Sequence, residues 1–583
     1  LNDKISVLLT TEGTYPYHQG GVSTWCETLV NNLDAVDYVI YSVIMNPFVT
    51  QKFQLPKNTE LVTVPLWGTE EPCEHLTVPF SQIYLKKKHT GQRQLTEHFV
   101  PLISNLIHEI ISENKNPIAF GETLLELYNY FQEWEYKVSF KSETTWNLYK
   151  EIVLKAASDK QNKLSQPDLH GLIQSLGWVY RFLTILNTPI PETNVTHSSA
   201  AAFCGIPCVL SKLKYNTPFL LTEHGVYLRE QYLSLAKRGY SSFLNTFLIR
   251  FVQSITSLNY AFADQISPVC QYNTRWEKRF GVPADKIKVI YNGVDDSVFT
   301  ESAKRANEHP TVVMVARVDP IKDILTFIKA AHIVKQEIPN VKFIVYGSVS
   351  VQEYYEECLA LKERLELEDT FIFAGHTSHM SAAYQSGDVI ALTSISEAFP
   401  YSVVEAMMTG KPVVATDVGG IKEALADTGL LVSPRDPEQF AREAIRLLKN
   451  PELRYVMGQE ARQRALSFFT LDKVLDLHLK SYIQLASKAV ERVPADERQE
   501  ELANQKLLME KGFALVANGF YREAISQFRA AINEKPNSPY TPVLLAEISK
   551  VYNRLGEYDM ALQELDKCTA FVHMVQLEAL DIA

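Results

Sequence analysis

Twice along the chain, short apolar runs alternate with stretches of helical periodicity, and this alternation restricts the fold more than any other feature. It is the pattern of parallel strands whose crossover helices cover both faces of a sheet. In the first series, residues 5–10, 38–45, 195–197 and 218–222 read as strands, with helices at 22–33 and 200–213. In the second, strands are expected at 311–316, 342–346, 370–373, 389–393 and 412–415, each followed by a helix. The predicted class is α/β, with two Rossmann-like doubly wound domains facing across a cleft. Ligands of such sheets bind beyond the carboxyl ends of the strands, so the cleft can hold two substrates at once.

The remaining segments have other patterns. Residues from about 66 to 190 are rich in aromatics and leucine and helical in period, which predicts a helical insertion in the first domain. Its aromatics, Trp134, Tyr136, Trp146, Trp178 and Tyr180 among them, are read as core in preference to a sugar platform. After Val493-Pro494 the sequence turns purely helical, and the run GFYREA at 519–524 is echoed by GEYDMA at 556–561. Gly512, Ala524, Phe528, Ala531 and Pro536 fall where a tetratricopeptide unit places small residues and its terminating proline. The expected domains are 1–292 with the insertion, 293–455, a segment 456–493 that crosses back to the first domain, and an all-α helical-repeat module at 494–583. Repeats of this kind bury their faces only against neighbours, so the module is expected to dock on the rest of the chain or on a protein partner.

A chain of 583 residues exceeds what one core serves, and its formal charge of −11 argues against a nucleic-acid surface. Lys86, Lys87, Lys88, His89 and Arg93 form a local basic cluster, read as a solvated face in preference to a phosphate contact. Seven cysteines without a CxxC pair read as buried, reduced thiols, and neither a basic leader nor a membrane-spanning apolar run is found. These features together lead us to expect a cytoplasmic protein without a transmembrane segment.

Four motifs carry chemistry. The run SEAFPYSVVEAM at 396–407 sets Glu397 and Glu405 eight positions apart across a strand-to-helix turn. Pro400 suits the helix start, where its missing N–H is no loss, and the amides of residues 401–403 then face the cleft. Tyr401, Ser402 and Val403 are accordingly expected to line a diphosphate, Glu405 to chelate a ribose and Glu397 to reach a sugar ring, with Ala398 and Phe399 as further substrate-binding residues. In VARVDPIKD at 315–323, Arg317 and Lys322 leave the first strand of the second domain, where two cations can neutralise a departing diphosphate. No DxD-like carboxylate pair in a convincing context competes for a metal, since Asp295 and Asp296 are adjacent, and metal independence is the preferred reading. Gly20 and Gly21 precede a helix and permit close approach of backbone amides to a ligand. Glu223 and His224 end a strand, where an imidazole can donate to a hydroxyl or position an acceptor. Gly347 and the loop around His376 complete the candidate site, the latter as the seat of the base.

These residues, with the YNGVD turn at 291–295, resemble family 4 of the retaining GT-B glycosyltransferases. More narrowly, TEGTYPYHQGGVSTW, LLTEHGVYLRE, RVDPIKDILTFIKA and EYYEEC at 353–358 resemble the PelF subgroup of Pel-type exopolysaccharide systems, over residues 4 to 487. The resemblance implies a first domain for the acceptor and a second for a nucleotide sugar. It implies a diphosphate held by Arg317 and Lys322, a ribose by Glu405 and the transferred sugar by Glu397. Gly21 would lie near the distal phosphate and His224 beside the sugar. The donor implied is a UDP-sugar, UDP-glucose first, used with retention of configuration and without a metal or other cofactor. A glycan or small molecule would be the acceptor, with peripheral association at the inner membrane face. A GT-B epimerase, a phosphorylase or a non-catalytic sugar-nucleotide scaffold are the alternatives; no lysine context for pyridoxal phosphate is found. The carboxyl-terminal repeats lie outside the family's pattern.

Overall fold

The computed structural model describes residues 4–57, 59–66, 79–301, 307–491, 497–534, 536, 538 and 540–581, with side chains for all of these except 80, 488–504 and 571–581. The chain forms two compact units, Leu1–Ser487 and Lys488–Ala583. The expected junction at Val493-Pro494 lies outside the described residues, as do residues 67–78 of the expected insertion.

The first unit contains two six-stranded sheets. One is ordered β3-β2-β1-β4-β5-β6, from β1 (Ile5–Glu12), β2 (Val36–Ile44), β3 (Glu60–Pro65), β4 (Val195–Ser198), β5 (Phe219–Glu223) and β6 (Gln265–Pro268). The other is ordered β12-β11-β10-β7-β8-β9, from β7 (Thr311–Val315), β8 (Lys342–Tyr346), β9 (Phe371–Gly375), β10 (Val389–Leu392), β11 (Val413–Thr416) and β12 (Leu430–Val432). Every pairing is parallel. Strand order reverses between β1 and β4 in the first sheet and between β7 and β10 in the second. Those are the positions where crossovers leave in opposite directions and open a crevice.

Alternation along β1 sets its two faces. Val7 and Leu9 pack with Trp25, Cys26 and Leu29 of the helix Gly21–Asn32 and with Leu475 and Tyr482 of the helix Leu471–Glu491. Leu8 faces the opposite cluster, built with the insertion. The insertion fills the β3-to-β4 crossover with helices that include Val100–Ile111, Pro117–Glu133, Glu143–Ser158 and Leu169–Phe182. Tyr136 and Tyr180 are buried there, and Trp134, Trp146 and Trp178 pack against the same core. The basic cluster is tied down in part: Lys86 Nζ donates to the Phe131 carbonyl at 2.8 Å, and Arg93 pairs with Glu97 at 2.9 Å.

Two expectations change. The helix expected at 200–213 begins at Ile206, after a 3-10 turn at Phe203–Gly205, because Pro207 suits a first helical turn and Ser198 Oγ holds the Ala200 carbonyl in a loop. Strands β3, β6 and β12 were not anticipated. In β6 the polar Gln265 and Ser267 hydrogen-bond each other inside the core, which removes the apolar signal.

Where the chain passes between the sheets, Val294 N–H donates to the Phe469 carbonyl and Leu471 N–H to that of Val294. The two crossings therefore run side by side. Cys73 lies outside the described residues; Cys26, Cys204, Cys208, Cys270 and Cys358 are free and buried. Among the described residues no helix is long and apolar enough to cross a membrane.

The second unit consists of the helices Glu497–Ala517, Tyr521–Glu534, Thr541–Arg554 and Tyr558–Asp581. Ala524, Phe528, Ala531, Leu544 and Ile548 form its core. Gly512 lies so close to Phe528 that an added Cβ would fall 2.4 Å from the ring. Gly519 and Gly556 both take left-handed φ, 79° and 76°, where the preceding helix stops.

Candidate functional site

The crevice between β7 and β10 gathers the charged motifs of the second sheet. After β7, Asp319 caps a 3-10 turn at Pro320–Lys322, and Asp323 then caps the helix Ile324–Glu337. Thr393, just past β10, donates to the Lys322 carbonyl at 2.9 Å and joins the two exits. Across them Lys322 Nζ donates to Glu397 Oε1 at 2.5 Å, and Ser394 Oγ donates to the same oxygen at 2.6 Å. Both charged side chains are largely buried, 17% and 12% exposed. Screening by water is weak at such a place, so the pair is electrostatically strong. Arg317 sits on the exposed side of this turn, and its guanidinium donates to Ser350 Oγ at 3.3 Å.

Pro400 caps the helix Tyr401–Met408. The Val403 amide is bonded to the Pro400 carbonyl at 3.3 Å, so it is not one of the three free donors expected there. Tyr401 and Ser402 amides keep the open positions of a helix start. Glu405, one turn in, accepts from the Tyr384 hydroxyl at 2.5 Å, and burial pushes its carboxyl up to about 7. An added Cβ on Gly21 would lie 3.8 Å from the Tyr401 ring, so the helix starts of the two sheets face each other. Thr24 N–H closes the turn onto the Gly20 carbonyl at 2.9 Å.

His224 packs edge-on to Trp25, 4.6 Å between ring centroids, as do His197 at 5.2 Å and His478 at 5.6 Å. Burial first, and then the neighbouring His478, pushes His224 down to about 3. Its ring is neutral near pH 7, able to hydrogen-bond a hydroxyl and too weak a base to hold a proton. The Nε2 atom is buried and has no hydrogen-bond partner among the described residues.

Several expected contacts are corrected. Glu223 is fully buried and accepts from Tyr260 Oη at 2.8 Å, leaving no surface for a ligand. Phe399 is buried with Tyr291 and Phe469, and its carbonyl accepts from Asn292 Nδ2. The Ala398 carbonyl accepts from the Gly420 amide at 2.7 Å, so the carbonyls of residues 398 and 399 brace the loop. Gly347 acts by size: an added Cβ would stand 1.9 Å from the Ala316 carbonyl oxygen. His376 is exposed just past β9, at the sheet edge. Arg229, whose guanidinium donates to Ser396 Oγ at 3.1 Å, and Tyr384 were missed, although Arg229 lies inside the LLTEHGVYLRE run.

Glu223 lies beside a second buried carboxyl, Glu277. With both ionised, Glu223 Oε1 and both Glu277 oxygens would lack a donor, so one group must carry a proton. Burial raises both above the usual carboxylate range. A raised carboxyl binds protons better in the folded state, so its stabilisation is present at low pH and lost as pH climbs from the unfolded value of 4.5. Glu277→Gln is therefore expected to flatten the fall in melting temperature between about pH 5 and pH 8. A native-minus-variant difference constant across that range would disprove the shared proton.

Residues 297–464 match the model of the family described as Glycosyl transferases group 1, and residues 5–285 that of a Domain of unknown function, DUF3492. Over 187 residues the chain is 33% identical to trehalose synthase of Pyrococcus horikoshii, covering 30% of this chain and 44% of that protein. Over 203 residues it is 32% identical to D-inositol 3-phosphate glycosyltransferase of Corynebacterium efficiens, covering 32% and 48%. The chain thus spans about half the length of the curated relatives it matches. Sucrose-phosphate synthase from Thermosynechococcus elongatus superposes with a TM-score of 0.53 at 17% identity, over 83% of this chain and all 100% of that one. Anabaena HepE, crystallised with UDP and glucose, gives 0.50 at 16% identity, over 82% and 99%. Both share the two-sheet GT-B fold with this protein. Within that fold, residues 297–464 are similar to group 1 glycosyl transferases and residues 5–285 to the DUF3492 family.

Proposed function

We propose that the protein transfers a sugar from a UDP-sugar, with UDP-glucose the leading donor, to a hydroxyl of a glycan or related acceptor, with retention and without a metal. The carrying observation is the Lys322–Glu397 pair, set at the β7/β10 crevice beneath the helix start at Tyr401. Lys322 spends one N–H on Glu397 and has two left for a diphosphate oxygen. Arg317 adds a second cation, and the Tyr401 and Ser402 amides offer neutral donors. Glu405 takes the ribose, Glu397 a sugar hydroxyl, Gly21 leaves room for the distal phosphate, and His224 lies beside the sugar. The bond from C1 to the β-phosphate oxygen breaks, and its electrons stay on that oxygen. The acceptor oxygen bonds to C1 on the same face and its proton passes to the departing phosphate. The neutral, weakly basic His224 fits a role in positioning.

The ligands of HepE favour UDP and glucose among donors. The PelF-like motifs favour exopolysaccharide synthesis at the cytoplasmic membrane face, and the tetratricopeptide-like spacing of the second unit favours a protein partner there. Release of UDP from a panel of nucleotide sugars, with and without acceptors and with EDTA present, tests the reading. Acceptor-dependent release from UDP-glucose that survives EDTA is expected. An epimerase would convert donor without acceptor, and a scaffold would bind donor unchanged. No release from any donor refutes the proposal.

A further inference from the structure

The helix Tyr227–Ala236 starts directly after the TEHG run and is anchored at its first residue. The Tyr227 hydroxyl donates to Glu12 Oε1 at 2.8 Å, and the Cys204 amide donates to Glu12 Oε2 at 3.1 Å. Glu12 ends β1, so this helix start is fixed to the floor of the first sheet. Two residues on, the exposed Arg229 extends away from that sheet to Ser396 Oγ, in the loop that leaves β10 of the other sheet. Ser396 adjoins Glu397, whose carboxylate is held from the other side by Lys322 and Ser394. Next to Arg229, Glu230 turns back on its own loop: an added Cβ on Gly225 would stand 2.0 Å from Glu230 Oε1. The Glu230 carboxylate stays near enough to Arg229 for their charges to interact, while the guanidinium itself reaches Ser396.

We propose that Arg229 is a positioning residue that ties the two lobes together at the sugar end of the cleft and sets Glu397 through Ser396. The inference rests on the transfer reading above. A hydrogen bond between lobes forms only at one lobe spacing, so it couples closure to the placement of the neighbouring carboxylate. An exposed charged donor on a neutral hydroxyl is worth a modest amount, about tenfold in rate, and nearly all of it falls on the closed state.

The test uses the full chain. Arg229→Ala is expected to lower kcat about tenfold with the donor KM within roughly threefold, as suits an interaction made on closure. Ser396→Ala should do the same, the double variant should be no worse than Arg229→Ala, and Arg229→Lys should recover part of the loss. Multiplying effects, an unchanged kcat, or a loss confined to donor KM would overturn the proposal. Hydrogen exchange separates this from failure of the transfer reading. Even if no donor is turned over, Arg229→Ala should speed exchange of the amides at 394–400 while leaving those of β7 unchanged. Unaltered exchange at 394–400 overturns the proposal on its own.

Discussion

Lys322→Ala is expected to cut kcat/KM by about 10²- to 10³-fold while the circular dichroism of the folded protein is retained. Two losses combine. In the proposed reaction the leaving diphosphate loses a fixed cation in a place where water screens poorly, and Glu397 loses the partner that holds it 2.5 Å away. A carboxylate left 12% exposed with only Ser394 as donor is a costly group, so a stability loss of about 2 kcal/mol should accompany the kinetic one. Arginine cannot substitute freely, since its planar fork does not fit the position of a single ammonium. Glu405→Ala should be equally damaging through a different parameter. In the proposed reaction its carboxyl takes the ribose in ground state and transition state alike, so the loss should fall mainly on donor KM. UDP-release kinetics on both variants, with thermal melts beside them, check the pair of results. Near-normal turnover in both would show that this crevice is not the donor site.

Much of the architecture is legible because parallel strands buried on both faces write themselves as apolar runs. The strands at 5–10, 342–346 and 389–393 appear at their expected places for that reason. The candidate site is legible as far as charged residues at strand exits meet, as Lys322 and Glu397 do at 2.5 Å. It fails where strand geometry decides. Glu223 is the last residue of β5 and His224 the first of the bend that follows, so the direction of each side chain is set where the strand ends and not by the motif. His224 turns toward Trp25, and Glu223 turns to Tyr260 and Glu277. Phe399 and Val403 were assigned by their place in a motif, but their apolar side chains belong to the core beneath the loop. Arg229 was passed over because its partner is 167 positions away in the other lobe, and no local spacing encodes that meeting.

Gly347→Ala is the second large effect expected, and it follows from sterics alone. The exits of β7 and β8 are zipped by Ala316 N–H to the Tyr346 carbonyl at 3.0 Å and Val318 N–H to that of Ser348 at 2.9 Å. Gly347 lies inside this seam and donates its own N–H to the Gly375 carbonyl at 2.9 Å. A methyl there meets the Ala316 oxygen at 1.9 Å, its carbonyl carbon at 2.6 Å and the Arg317 nitrogen at 3.1 Å. All three are backbone atoms, so no rotamer change relieves the contact and the seam must open. Overpacking of this kind costs about 3 kcal/mol, and it displaces the peptide that carries Arg317, so donor affinity should fall with the melting temperature. Gly177, in the helix Leu169–Phe182, is the control: an added Cβ there has nothing within 4 Å. Gly177→Ala should raise stability by up to about 1 kcal/mol, because alanine loses less backbone entropy than glycine in a helix. Thermal melts and UDP titrations of the two variants decide the matter. If Gly347→Ala melts with the native protein and binds UDP as well, the close seam between β7 and β8 does not hold Arg317 in place.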